Sequence, residues 1–216
     1  MKKIALIGAS GFIGSAILNE ALSRGIKVTA IVRNTEKIKI TNENLTINRG
    51  DVFDTESLTG LLKGADAVIS SYNPGWKNPD IVKDTVTGYK SIIEAVRKSG
   101  VKRLQVVGGA GSLLVAPGKR LMDTDVFPKE FLPIVEALAK VLTDFLPREK
   151  NIDWVFFSPA GMIEPGQRTG KYRLGKNNVI ADAAGTSKIS VQDYAKAMID
   201  ELEKPQHHNE RFTIGY

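Results

Sequence analysis

Three glycines spaced three apart, Gly8, Gly11 and Gly14 in "GASGFIG", directly follow an apolar run and precede a helical pattern. Glycine at these places lets the backbone turn tightly, approach a pyrophosphate and pack a helix onto a strand. The helix N-terminus then turns N–H groups and positive dipole toward phosphate. Ser10, Phe12 and Ile13 belong to the same loop and first turn. The chemistry indicated is dinucleotide binding, because the motif stands in the strand-turn-helix context it requires. A second group, Glu136 and Lys140 in "EALAK", places an acid and a base four residues apart on one helical face. That spacing serves a site lysine, and equally an ordinary surface ion pair worth ~0.2–0.5 kcal/mol.

A third position is Arg33, at the end of the second strand-like run, followed by Asn34 and Lys37. A carboxylate there would accept hydrogen bonds from the adenosine ribose, whereas a guanidinium fork suits a 2′-phosphate. The expectation is NADPH in preference to NADH; the plainer reading is a solvated arginine at a strand end. Other chemistries are excluded. The chain has no cysteine, hence no disulfide, thiolate catalysis or cysteine-bound metal. Its two histidines, His207 and His208, are adjacent in "KPQHHNE", which reads as a solvated loop and lacks metal-ligand spacing.

These residues need elements to position them, and the apolar pattern supplies alternating short and long blocks. Strands are expected over residues 3–8, 27–33, 45–52, 66–71, 103–109 and 152–158, with a last one in "RFTIGY". Helices are expected over 12–25, 55–64 (capped by Asp54 or Thr55), 80–99, 131–146 and 191–204, with 72–79 and 110–130 irregular. Such alternation predicts an α/β fold, a doubly wound parallel sheet of six or more strands with helices on both faces, the Rossmann fold. At 216 residues, 42% hydrophobic and 25% charged, the chain reads as one domain, 1–216, with 159–216 forming a small substrate-side region. The net charge of +6 is spread among acids, which favours a small polyanionic ligand over nucleic acid. The lysines and apolar run of "MKKIALIGASGFIG" mimic a signal peptide, but glycines interrupt the run early, and no run approaches the ~20 apolar residues of a membrane span. A cytoplasmic monomer or homodimer with a small-molecule substrate is the expectation.

"GASGFIG", the "VRN" after strand two, "GDVFD" after strand three and "SPAGMIEPG" after strand six resemble the short-chain dehydrogenase/reductase superfamily. More narrowly, they and the tail from "KISVQDYAKAM" onward resemble its atypical NAD(P)H-binding branch of NADH-flavin reductases, biliverdin reductase B-like enzymes and NmrA-like redox sensors. The resemblance implies Asp51 and Val52 at the adenine, Ser70 and Ser71 beside the adenosine ribose, and Gly108 and Gly109 along the nicotinamide side. Pro159 and Ala160 would wall the nicotinamide, and Lys140, in the place of the superfamily's Tyr-x-x-x-Lys lysine, would hold the nicotinamide ribose.

That superfamily moves its proton with serine, tyrosine and lysine. Here Ser112 stands near the serine's place, Glu136 occupies the tyrosine's, and no tyrosine lies between Tyr89 and Tyr172. Glu136 could deliver the proton only with a strongly raised pKa, because an exposed glutamic acid is ionised at neutral pH. The implied reaction is hydride transfer from NADPH, or NADH, to a flavin-like or quinone-like acceptor such as FMN or riboflavin, with the proton taken from water. Tyr72 and Trp76, with Met162, Leu113 or Leu114, are the expected walls of a flat acceptor site. A non-catalytic NADP-sensing regulator and a sugar-nucleotide epimerase or dehydratase are the alternatives.

Overall fold

The computed structural model describes residues 2–216. Five strands in chain order open the fold: β1 (Lys3–Ile7), β2 (Lys27–Val32), β3 (Leu45–Arg49), β4 (Ala67–Ser70) and β5 (Arg103–Val107). After β5 come a small hairpin of β6 (Leu114–Ala116) and β7 (Lys119–Arg120), then β8 (Asp153–Ser158), β9 (Met162–Glu164), β10 (Arg173–Gly175), β11 (Lys188–Ser190) and β12 (Glu210–Gly215). Eight strands form the main sheet in the order β3-β2-β1-β4-β5-β8-β12-β10. All its pairings are parallel except β10 with β12. The order reverses at β1, which lies between β2 and β4, so a crevice must open beyond the carboxyl ends of those strands.

Helices α1 (Phe12–Ser23) and α5 (Val191–Glu203) cover one face, burying Ile17, Leu18, Tyr194 and Met198. Helices α2 (Thr55–Leu62), α3 (Ile81–Ser99) and α4 (Leu132–Lys140) cover the other, where Leu58, Ile92 and Val96 are buried. Strand β8 shows why both faces need a cover. Its Val155 and Phe157 belong to the first core and Trp154 and Phe156 to the second, the two-residue period of a strand buried on both sides.

The strands and helices fall where the pattern predicts them, and Asp54 caps α2 by accepting the Ser57 N–H at 3.0 Å. The helix expected over 131–146 is regular only to Lys140. Val141–Phe145 widens into a π turn and Leu146–Arg148 tightens into a 3₁₀ turn, with Pro147 unable to donate to a continuing helix. Residues 159–216, expected to form a small substrate-side region, are built into the main sheet and its cover. They supply β12 and β10 to the main sheet, α5 to its face, and the parallel pair β9–β11. His207 departs from the solvated-loop expectation, because its ring stacks on Phe212 at 4.2 Å and its Nδ1 lies 2.8 Å from a Glu201 carboxylate oxygen. Among the described residues no helix is long and apolar enough to cross a membrane.

Candidate functional site

Two cavities open at the carboxyl ends of the parallel strands and share Gly11, Ser71, Tyr72 and Asn73, so they form one continuous groove. The smaller, about 230 Å³, is lined by Gly8, Ser10 and Gly11, by Arg33 and Lys37 beyond β2, and by Asp51 and Val52 beyond β3. The glycine loop is shaped by close approach. Gly8 has φ +79°, and a Cβ added there would lie 2.4 Å from the Ser71 carbonyl oxygen. A Cβ on Gly14 would lie 2.1 Å from the Gly8 carbonyl oxygen, so this glycine lets α1 pack on the loop and does not itself face the groove. Gly11 caps α1 without a side-chain hydrogen bond, and the first backbone bond of the helix runs from Ser15 N–H to Gly11. The earlier N–H groups of the first turn have no helical acceptor and remain available to an anion.

Arg33 is exposed and among the described residues makes only a 3.5 Å contact from Nη2 to the Pro74 carbonyl, leaving most of its donors free of protein acceptors at the end of the smaller cavity. Ser71 lines both cavities, whereas Ser70 is fully buried beneath them, its Oγ accepting the Tyr72 N–H at 3.4 Å. The position is a strand end, but the side chain points into the protein, so Ser70 does not reach the groove.

The larger cavity, about 440 Å³, carries Phe12 and Ile13 from α1, Gly108 and Gly109 beyond β5, and Pro159 and Ala160 beyond β8. Opposite them stand Tyr72 and Trp76 from the loop after β4, as expected, and side chains that sequence reading did not find: Thr85 and Tyr89 of α3, Phe127, and Ile134, Val135 and Leu138 of α4. Met162 is exposed and outside the lining, although Gly161 and Ile163 on either side belong to it. Leu113 is buried against Ala110 and Leu121, and Leu114 lies in β6, so neither forms this wall. The glycines after β5 admit the helix: a Cβ on Gly111 would fall 2.1 Å from Cγ1 of Val135.

Among the described residues no lysine, arginine, histidine or carboxylate lines this larger cavity. Its two phenols are committed elsewhere. The Tyr72 hydroxyl donates to the Asp84 carbonyl at 3.1 Å, and the Tyr89 hydroxyl donates to the Tyr72 carbonyl at 3.2 Å. Burial pushes both phenols well above the usual tyrosine range, with Asp84 adding to the effect at Tyr72 and a Ser70 hydrogen bond partly opposing it at Tyr89. Neither is set to deliver a proton at neutral pH.

"EALAK" does not meet the groove through its charged pair. Lys140 is exposed at the end of α4, lines neither cavity, and among the described residues makes no ion pair. Glu136 faces Arg120, at 3.5 Å, and not Lys140. The side chains that reach the cavity from this helix are Ile134, Val135, Leu138 and Ala139. Glu136 and Lys140 each follow one of these by one residue and are turned about 100° away on the helical wheel. The apolar pair at 135 and 139 was the available signal for which face points inward.

Ser112, near the expected serine position, does line the larger cavity. Its Oγ and its carbonyl oxygen both accept hydrogen bonds from Nη1 of Arg211, each at 2.9 Å. The Arg211 guanidinium is further held by Asn177, whose Oδ1 accepts from Nε at 3.2 Å and Nη2 at 3.0 Å. Arg211 is partly buried with no carboxylate beside it among the described residues, and burial lowers its pKa from the ordinary arginine value. Nothing in the sequence joins residues 99 positions apart, so this contact was invisible there.

Comparison with known proteins agrees with this geometry. The model of a family described as NAD(P)H-binding matches residues 8–205. A provisionally named epimerase from Bacteroides thetaiotaomicron is 58% identical, with a TM-score of 0.93 over 100% of this chain and 97% of that one. The uncharacterised protein YwnB of Bacillus subtilis is 45% identical over 98% of this chain and 97% of its own length. A provisionally named NADH-flavin reductase from Streptococcus pneumoniae is 38% identical, with a TM-score of 0.84 over 100% of this chain and 99% of that one.

Proposed function

The chain belongs to the NAD(P)H-binding family, as an atypical short-chain dehydrogenase/reductase, and on that premise we propose that it passes hydride from NADPH to a flat, conjugated acceptor of flavin-like or quinone-like type. The residues fit the nucleotide. The Gly8–Gly11 loop and the open first turn of α1 would hold the pyrophosphate, Arg33 and Lys37 a 2′-phosphate, and Asp51 and Val52 the adenine end. Gly108, Gly109, Pro159 and Ala160 would bound the nicotinamide at the start of the larger cavity. Bound there, NADPH supplies the hydride.

The observation that carries the acceptor class is the larger cavity itself, walled by Tyr72, Trp76, Phe127 and Leu138 and lined by no charged acid or base. A site of this kind can bind and orient a ring, exclude water from its apolar side and bring two reactants into contact, which alone lowers a barrier substantially. It holds no side chain set to protonate an alkoxide, so an acceptor that spreads charge over a conjugated system and collects its proton from water fits best. The name borne by the Streptococcus pneumoniae relative points the same way. An epimerase would need an acid and a base facing a sugar, and the wall carries no such pair.

Steady-state oxidation of NADPH with FMN, riboflavin and a series of quinones tests the reading. Saturable turnover with at least one of them is the expected result. Tight NADP binding without turnover for any acceptor would overturn it in favour of a nucleotide-sensing regulator.

A further inference from the structure

Among the described residues ten large apolar side chains are exposed, and five of them, Phe12, Trp76, Val126, Phe131 and Met162, gather at the larger cavity. Phe12 and Trp76 belong to its lining, Val126 precedes the lining residue Phe127, and Met162 separates Gly161 from Ile163. Phe131 meets the Trp76 ring edge to face at 5.9 Å. The apolar wall therefore continues outward onto the surface. An aromatic side chain covers ~150–250 Å² when buried, so exposures of 50%, 67% and 41% at Phe12, Trp76 and Phe131 leave roughly 300 Å² of ring surface outside. A patch of that size marks a binding surface, yet it falls far short of the ~800 Å² that each partner gives to a stable protein interface. It matches a short hydrocarbon chain.

Two properties of the cavity say what would carry that chain. Its volume, about 440 Å³, must hold the nicotinamide as well as the acceptor ring, so a longer substituent has to leave through the mouth. Among the described residues no lysine, arginine or histidine lines it, while Arg33 and Lys37 lie in the other cavity with the nucleotide. A phosphate brought in on a flavin side chain would lose its water and find no partner. We infer that the acceptor is an uncharged quinone with an apolar tail, its ring against Tyr72 and Leu138 and its tail running out over Trp76, Phe131 and Val126. The inference rests on the proposed reduction and narrows its acceptors from flat rings in general to lipophilic quinones. The step balances without a protein acid. A C–H bond of the dihydronicotinamide breaks, the hydrogen and its electron pair bond to the quinone, and a proton from water completes the hydroquinone as NADPH becomes NADP.

The experiment measures kcat/KM, with NADPH saturating, for tailless dimethoxymethylbenzoquinone and for the same ring carrying one or two isoprene units, with riboflavin and FMN alongside. Wild type is compared with the double variants Val126→Ser/Phe131→Ser and Val126→Leu/Phe131→Leu, whose altered positions are exposed and so leave the fold intact. In wild type the first isoprene unit raises kcat/KM about tenfold, the gain expected when roughly half of a five-carbon unit is buried, and riboflavin is used better than FMN. The serine variant lowers the tailed-to-tailless ratio about 3- to 5-fold, and the leucine variant keeps most of it. A tail without benefit, a ratio that the serine variant does not alter, or FMN used better than riboflavin overturns the inference, and turnover of the tailless ring leaves the proposed reduction standing. A wild type that sediments as a dimer beside a serine variant that sediments as a monomer assigns the rim to a second copy and overturns the inference too. Absence of turnover with every acceptor overturns the reduction itself, and the inference falls with it.

Discussion

The nucleotide half of the groove takes its lining from residues between Ile7 and Asn73, while the acceptor half collects side chains from Gly11 to Ile163, with Arg211 behind them. In the first half the backbone does the shaping, through glycines whose replacement would collide with carbonyl oxygens, that of Gly8 within the loop and that of Ser71 just beyond β4. In the second, rings and aliphatic side chains from α3, α4 and three loops meet only because the sheet brings them together. The first kind of site is written locally and changes little with its surroundings. The second is written across the chain and can be recast by altering one helix face.

The sharpest way to break this contrast is to fill the glycine loop. Gly14→Val drives a side chain into the Gly8 carbonyl, with an overpacking cost of about 3 kcal/mol. Denaturant melts should show that loss, and NADPH titration should show no binding; a variant that still binds would mean the loop is softer than its contacts imply. Next in size is Arg33→Ala. Removing hydrogen bonds to a charged group, worth ~1.5–3 kcal/mol, lowers the preference for NADPH over NADH by roughly 10- to 100-fold, read as a ratio of dissociation constants, and leaves acceptor KM alone. An unchanged ratio would remove the 2′-phosphate from this end of the groove.

Trp76→Ala acts on the other half. Its ring is 67% exposed and meets Phe131 edge to face at 5.9 Å, so it can also turn a face to an entering ring. Losing an aromatic contact of ~0.5–1.5 kcal/mol raises acceptor KM about 3- to 10-fold with NADPH affinity intact, and equal effects on both ligands would erase the distinction between the halves. The smallest effect belongs to Lys140→Ala. An exposed residue outside both cavities changes kcat/KM by less than about twofold, within ~0.5 kcal/mol, whereas a 100-fold loss would bring that lysine back to the nicotinamide ribose.

What was legible in the sequence follows the same division. Gly8, Gly11, Arg33 and Asp51 could be assigned to one groove because each lies at or just beyond the carboxyl end of a strand whose apolar run is unmistakable, and the switch in strand order gathers those ends. Ser70 shows the limit of that rule, since successive residues at a strand end point opposite ways and only Ser71 faces the cavity. "EALAK" misled for a related reason. Its charged residues drew attention by type, yet the helix turns Val135, Leu138 and Ala139 inward and leaves Glu136 to Arg120. Tyr89 and Arg211 could not be found at all, because their place in the site depends on α3 and β12 docking on a sheet whose register no short motif encodes.

Tyr72 stands on the partition between the two cavities and is fixed from three sides. Its hydroxyl is bound to Asp84, its carbonyl accepts from Tyr89, and its ring lies so close to Gly88 that a Cβ there would come within 2.4 Å. A partition so pinned gives little room for an occupant of one chamber to reshape the other. The coupling free energy between two fragments bound side by side is then expected to be small, and by reciprocity each would leave the other's affinity little changed. Ligands built separately for the two chambers could be joined across Tyr72 with their binding energies simply adding, gaining from the linker without any cooperative rearrangement.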